Sequence, residues 1–179
     1  MNENWVFGYG SLMWNPGFEV EESLPAHLHG YRRSLCVRSW VHRGTEQDPG
    51  LVLGLDRGGS CRGMAFRVSP DSWPAVLAYL RERELVTHVY RERILPVSLP
   101  GGVRRPALAY VIDRGHRQYA GALATAEAAE TVSRAVGRSG PNIDYVTNTL
   151  AHLRDMGIRD HWLEEVGRMA AAFSAGLGS

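Results

Sequence analysis

Trp5-Val6-Phe7-Gly8-Tyr9-Gly10-Ser11-Leu12 is the stretch on which the reading of this chain turns. Val6 and Phe7 favour a pleated backbone, and the two glycines end it at once. A strand is therefore predicted over roughly Trp5 to Tyr9, running into a glycine-rich bend. Gly8 and Gly10 permit φ > 0, which lets consecutive N–H groups turn toward one point and hold a carboxylate or phosphate. Tyr9 and Ser11 add hydroxyls beside it. Spacing alone fits an ordinary tight turn as well. A dinucleotide fingerprint fits poorly, because no third glycine stands near Trp14 and no helix clearly opens there.

Outward from that bend, the first two thirds of the chain are rich in strand formers. Ala26 to Arg43 reads as one long or bent strand, with Gly30 marking a bulge. Leu51–Leu55 and Cys61–Val68 read as two strands about a turn at Asp56-Arg57-Gly58-Gly59. Ser69-Pro70-Asp71-Ser72 then starts a helix, with Pro74 in its first turn and its end near Glu84 to Thr87. Two further strands, His88–Leu99 and Pro106–Asp113, join at Pro100-Gly101-Gly102. The last third is helical. Thr125 caps a helix through Val136 with Glu130 and Arg134 paired one turn apart, Asn142–Met156 is a second helix, and Asp160 opens a third ending near Phe173. Ala175–Ser179 reads as a fraying tail. Strands first and helices last predict α+β, with a mostly antiparallel or barrel-like sheet.

The length of 179 residues suits a single domain over 1–179 with a sizeable core. A net charge of +1 provides no field that draws nucleic acid or an anionic membrane surface. No apolar run approaches membrane-spanning length, and Met1-Asn2-Glu3-Asn4 is no signal peptide, so a cytoplasmic protein is expected. Cys36 and Cys61 are expected to be reduced, structural thiols. All 20 basic residues are arginine. Without lysine, neither a Walker-type phosphate loop nor a Schiff-base enzyme is possible. Oligomeric state has no signal in the sequence.

Glu84 stands out by helical geometry. Each residue of a helix turns about 100°. Counted from Leu77, Leu80 lies about 60° away, Trp73 about 40° and Glu84 about 20°, whereas Glu82 lies about 140° away on the solvent side. Glu84 thus sits in the middle of an apolar stripe. Burial raises a carboxyl pKa toward the range useful for a general base or acid. The bland reading is a helix that frays before Glu84, or a buried Glu bonded to Arg81, Arg83, Arg91 or Arg93. Other candidates are weaker. His27 and His29 share a strand face but lack a third metal ligand. No Ser, Cys and His arrangement suggests a nucleophile. Arg32, Arg33, Arg38 and Arg43 are expected mostly in solvent or in surface ion pairs, and Tyr90, Tyr110 and Tyr119 mostly in the core.

Four ordered segments match one family: Phe7-Gly8-Tyr9-Gly10-Ser11-Leu12; His42-Arg43-Gly44-Thr45 leading to Pro49-Gly50; Tyr79-Leu80-Arg81-Glu82-Arg83-Glu84-Leu85; and Ser139-Gly140-Pro141-Asn142 with Tyr145. Together they resemble the ChaC branch of the γ-glutamylcyclotransferases over about residues 5 to 165. The resemblance implies a small mixed β-barrel flanked by helices, with no metal and no cofactor. It implies cleavage of reduced glutathione, a small-molecule substrate, to 5-oxoproline and cysteinylglycine. Its substrate-binding loop falls on Tyr9, Gly10, Ser11 and Leu12, its catalytic glutamate on Glu84, and its pocket tyrosines on Tyr90 and Tyr119. Where the family commonly carries a small residue, often Gly, this chain has His88.

Such chemistry needs no enzyme nucleophile, because the substrate's α-amine attacks its own γ-carbonyl. The expected roles are Glu84 as base and then acid, the bend's N–H groups on the oxyanion or the α-carboxylate, and Arg43 on a substrate carboxylate. Competing readings are a cyclotransferase for other γ-glutamyl dipeptides or amines, and a non-catalytic, ligand-binding regulator of transport. A nucleic-acid module is least compatible with the near-neutral charge.

Overall fold

The computed structural model of the chain describes residues 3–176. Met1 and Asn2 lie outside the described residues, as does the expected tail from residue 177 onward. Contacts divide the chain into two compact units. One comprises the chain up to Arg33 with Leu55–His116; the other comprises Ser34–Gly54 with the chain from Arg117 onward.

The first unit is built on a closed barrel in the order β1-β3-β2-β4-β5. Strand β1 (Asn4–Gly8) pairs antiparallel with β3 (Gly50–Val68) and parallel with β5 (Arg104–Ile112). Strand β4 (Tyr90–Ser98) pairs antiparallel with β5 and with β2 (Glu22–Ser39). The mix of one parallel and several antiparallel pairs is the α+β barrel predicted from the order of elements. Period-two alternation decides which side chains go where. Trp5 and Phe7 of β1, with Ala107, Ala109 and Val111 of β5, join one buried cluster with Leu28, Leu55 and Val97. Val6 of β1, with Leu108 and Tyr110 of β5, points the other way, onto helix α1 (Trp73–Glu84), where it meets Val76 and Leu80. The apolar stripe of α1 therefore lies over β1 and β5.

Two strands differ from the sequence reading. Strand β2 begins at Glu22, not Ala26, because Arg67 of β3 pairs with Glu21 at 2.9 Å and Glu22 at 3.0 Å, drawing a polar segment into the wall. It ends at Ser39, whose Oγ accepts from Arg43 N. Strand β3 is continuous where a turn at Asp56–Gly59 is predicted. Gly58 and Gly59 do take positive φ (100° and 64°), yet inside one strand. The reason lies in Asp56, whose fully buried carboxylate accepts from Arg114 Nε (2.7 Å), Arg57 N (2.9 Å) and Arg32 Nη2 (3.4 Å). Turn-forming residue types here serve an internal ion cluster. Gly30 has φ 90°, a backbone suited to glycine inside β2.

In the second unit, helices α2 (Thr125–Arg134), α3 (Asn142–Asp155) and α4 (His161–Gly176) accompany a short hairpin of β6 (Val136–Gly137) and β7 (Gly140–Pro141). Thr125 is the first helical residue, not the cap; Ala124 holds the extended N-cap position and no side chain caps the helix. Arg134 pairs with Asp48 at 3.0 Å and not with Glu130. Asp160 does cap α4, its Oδ1 accepting from Leu163 N. Cys36 and Cys61 are buried thiols that form no disulfide.

Candidate active site

The end of β1 runs into a one-turn 3-10 helix, Ser11–Met13. Neither Gly8 nor Gly10 adopts positive φ: Gly10 has φ −134°, and Gly8 is not among the left-handed residues. Gly8 is favoured for a different reason. A Cβ there would lie 3.1 Å from Leu12 Cβ and 3.2 Å from Phe66 Cε2, so the bend folds back tightly on its own strand. Met13 N donates to Gly10 O (2.9 Å) and Asn15 N to Ser11 O (2.8 Å). The first N–H groups of a helical turn have no acceptor within the turn, and here they belong to residues of the bend.

Two arginines pin this segment. Arg33, expected at the surface, is only 7% exposed. Its Nε donates to Tyr9 O at 2.7 Å and its Nη2 to Arg62 O at 2.6 Å, so barrel carbonyls take the place of solvent. Arg83 holds the other side of the bend. Its Nη2 donates to Ser11 Oγ at 2.9 Å, and its Nη1 to Asn15 O (2.8 Å), Tyr79 OH (3.1 Å) and Pro16 O (3.2 Å).

Glu84, the last residue of α1, follows directly. Its side chain is 18% exposed, and Oε1 lies 3.6 Å from Arg83 Nε, an ion-pair distance beyond hydrogen-bond length. Burial pushes the Glu84 carboxyl above its ordinary value, with Arg83 pulling partly the other way. Glu82 is exposed, as the helical angle requires. Glu84 is thus separated from Ser11 by a single guanidinium. Tyr90 is partly buried against the cluster that contains Leu12 and Leu80, on the same side of the barrel. Tyr110, in that cluster, donates to Glu92 Oε2 at 3.0 Å, and Arg81 grips Glu92 with two bonds of 2.9 and 3.0 Å. Burial, then the bond to Glu92, hold the Tyr110 phenol protonated well above its ordinary range.

In the first unit, Ser11 of the bend and Glu84 come together through Arg83, and Leu12 and Tyr90 share the cluster under α1, whereas Tyr9 packs against the barrel-interior cluster of Trp5 and Phe7. Arg43 and Tyr119 belong to the second. Arg43 Nη1 donates to Pro141 O at 3.2 Å, and its guanidinium lies 5.7 Å from the centroid of the Tyr145 ring. Tyr119 forms a bridge with Val37. The fourth family-like segment is architectural. The buried Asn142 amide accepts from Leu51 N and donates to Leu51 O, both at 2.8 Å, as a neighbouring strand would, and Tyr145 OH accepts from Leu53 N at 3.0 Å. His88 is exposed with φ 59°, a left-handed position that glycine takes without steric cost, which is why a small residue would suit it better.

Arg33 is the residue that sequence reasoning missed, and Arg83, expected only as a partner of a buried Glu84, also holds the bend. Arg83 carried a signal, since Tyr79 lies four residues earlier on the same helix face; nothing local distinguishes Arg33 from Arg32. Among the described residues no group of three or more His, Cys, Asp or Glu could hold a metal ion. His27 and His29 lie side by side, ring centroids 4.2 Å apart, and burial followed by the neighbouring His29 lowers the His27 pKa. Among the same residues no helix is long and apolar enough to cross a membrane.

A family model described as ChaC-like protein matches residues 4–172. The glutathione-specific γ-glutamylcyclotransferase of Escherichia coli (strain K12) is 33% identical over 162 residues, covering 90% of this chain and 70% of that protein. The enzyme of the same name from Schizosaccharomyces pombe is 34% identical over 173 residues, covering 85% and 83%. In fold, the chain is similar to a crystal structure of a yeast γ-glutamyl cyclotransferase specific to glutathione. The TM-score is 0.84, over 97% of each chain, at 21% identity. With a model match over nearly its whole length and relatives at a third identity, this chain is a member of the ChaC-like family.

Proposed function

We propose that this protein is a glutathione-specific γ-glutamylcyclotransferase, a cyclising lyase that converts reduced glutathione to 5-oxoproline and cysteinylglycine. The observation that carries the reading is the burial of Glu84 one guanidinium away from the glycine-rich bend. Relatives bearing that name support the choice of glutathione. The family match crosses both units, which supports reading the chain as one γ-glutamylcyclotransferase-like domain.

In this reaction the substrate's α-ammonium loses a proton to Glu84. The freed amine attacks the γ-carbonyl carbon, closing a five-membered ring. The carbonyl oxygen becomes an oxyanion, for which N–H groups at Gly10, Ser11 and Leu12 are the proposed donors. The tetrahedral centre then collapses, its C–N bond to the cysteinyl nitrogen breaks as protonated Glu84 gives that nitrogen a proton, and the second proton of the attacking nitrogen is taken up by the regenerated Glu84 carboxylate and passed to the released amine, which leaves as the ammonium. A carboxyl raised by burial suits both halves of this cycle, since it must accept and release a proton near neutrality. Fixing the glutamyl chain in a ring-like pose contributes up to roughly 7–11 kcal/mol in ideal intramolecular cases. Tyr90 is the proposed aromatic wall beneath α1, and Tyr9 is proposed to contact the substrate as part of the bend.

The test is purified protein incubated with reduced glutathione, γ-glutamyl-alanine and γ-glutamyl-lysine, with 5-oxoproline quantified by chromatography. Release from glutathione in preference to the other two is expected. Absence of 5-oxoproline from all three refutes the reading. The compartment in which the reaction runs is proposed to be the cytoplasm, where glutathione is held reduced.

A further inference from the structure

Arg83 and Glu84 are adjacent on α1, and adjacent helical residues do not face each other. Arg83 lies about 120° from Leu77 on the helical wheel, against about 20° for Glu84. Its guanidinium is nonetheless turned back to 3.6 Å from Glu84. The partners that hold it there are Ser11 Oγ, Asn15 O, Pro16 O and Tyr79 OH. Three nitrogens thus face different partners: Nη1 the loop carbonyls and Tyr79, Nη2 the bend, Nε the carboxylate. A planar fork does this, whereas a lysine ammonium is a single point on a flexible stem. The loop itself is fitted to the pair. Gly17 has φ 79°, and any Cβ on it would collide with the Tyr79 hydroxyl.

We propose that Arg83 is a positioning residue that ties the glycine-rich bend to Glu84, keeping substrate-holding backbone and catalytic base at one fixed separation. The proposal rests on the cyclotransferase reading. Glu84 is faced by Arg83 from its own helix and by Tyr110 from β5, with Glu92 of β4 and Arg81 beyond the Tyr110 hydroxyl. Tyr110 stays protonated throughout the working pH range. Arg83 is therefore the neighbouring charge that its replacement removes.

The experiment measures 5-oxoproline release from glutathione as a function of substrate and pH, with thermal melts, for wild type, Glu84→Gln, Arg83→Lys and Arg83→Met. Arg83→Lys keeps the charge but loses the fork. It is expected to raise KM and lower kcat/KM by about 10²-fold, the scale of a misplaced reacting group, with the acidic limb of the profile unmoved. Arg83→Met loses both, and its acidic limb is expected to move to higher pH as well. Wild-type KM in both variants, with activity lost only in proportion to folded protein, overturns the proposal. Should Arg83→Met not fold, Arg83→Lys decides alone: raised KM in a fully folded protein supports the role, and wild-type KM overturns it. Failure of the underlying reading is separate and visible, because wild type would then release no 5-oxoproline. An active wild type, an inactive Glu84→Gln and wild-type-like Arg83 variants would refute only the positioning role.

Discussion

Replacing Glu84 by Gln should make the protein more stable and nearly inactive, and both signs follow from one carboxyl. The side chain is 18% exposed, and Gln fills almost the same volume. Arg83 keeps its partners at Ser11, Asn15, Pro16 and Tyr79, so the bend is expected to hold. Activity loses an acid–base catalyst, worth about 10²–10⁴-fold. That corresponds to roughly 2.7–5.4 kcal/mol of transition-state stabilisation. Stability moves the other way. The Glu84 pKa is raised in the fold, so the native state binds its proton more tightly than the unfolded chain does. Wild-type stability therefore falls as pH rises from the unfolded value, about 4.3, through the raised native value. Each pH unit of that displacement is worth about 1.4 kcal/mol. Gln has no such penalty, so its advantage should be full above the native pKa and vanish below about pH 4. Steady-state 5-oxoproline release and urea unfolding at pH 4, 6 and 8 check both signs. Turnover within about tenfold of wild type would refute the assignment of Glu84 as base. A variant less stable than wild type at pH 8 would refute the burial argument.

Asn142→Ala should destabilise the fold by about 2–4 kcal/mol, because it strands the N–H and C=O of Leu51, and a lowered urea midpoint would show it. Tyr145→Phe removes the acceptor of Leu53 N and should cost about 1 kcal/mol in the same assay. His88→Gly should gain about 0.5–1 kcal/mol by relieving φ 59°, less the backbone entropy glycine carries. A rise of roughly 2–3 °C in Tm is the expected reading, and a fall would show that the His88 side chain holds that turn together. Glu82→Gln should leave both turnover and Tm near wild type, since Glu82 is exposed on the opposite side of α1 from Glu84.

What the sequence determined by itself was the part of the chemistry carried by local periodicity. The strand-to-bend transition after Phe7, the helix boundary at Trp73 and the inward angle of Glu84 depend on residues a few positions apart, whose spacing is already three-dimensional information. The family-like segments added the reaction because their order is preserved over most of the chain. Only the tertiary structure decided which polar residues were ligands for others. Asp56-Arg57-Gly58-Gly59 reads as a turn until Arg32 and Arg114 arrive from 24 and 58 positions away to bind the Asp56 carboxylate. Arg33 reads as solvated until Tyr9 O and Arg62 O enclose it. Asn142 reads as a helix start, and is one, but only the fold shows that its amide pairs with Leu51, 91 positions distant. In each case the side chain's energy depends on hydrogen-bond partners that only the closed barrel or the folded second unit brings within 3.5 Å, and no local pattern encodes them.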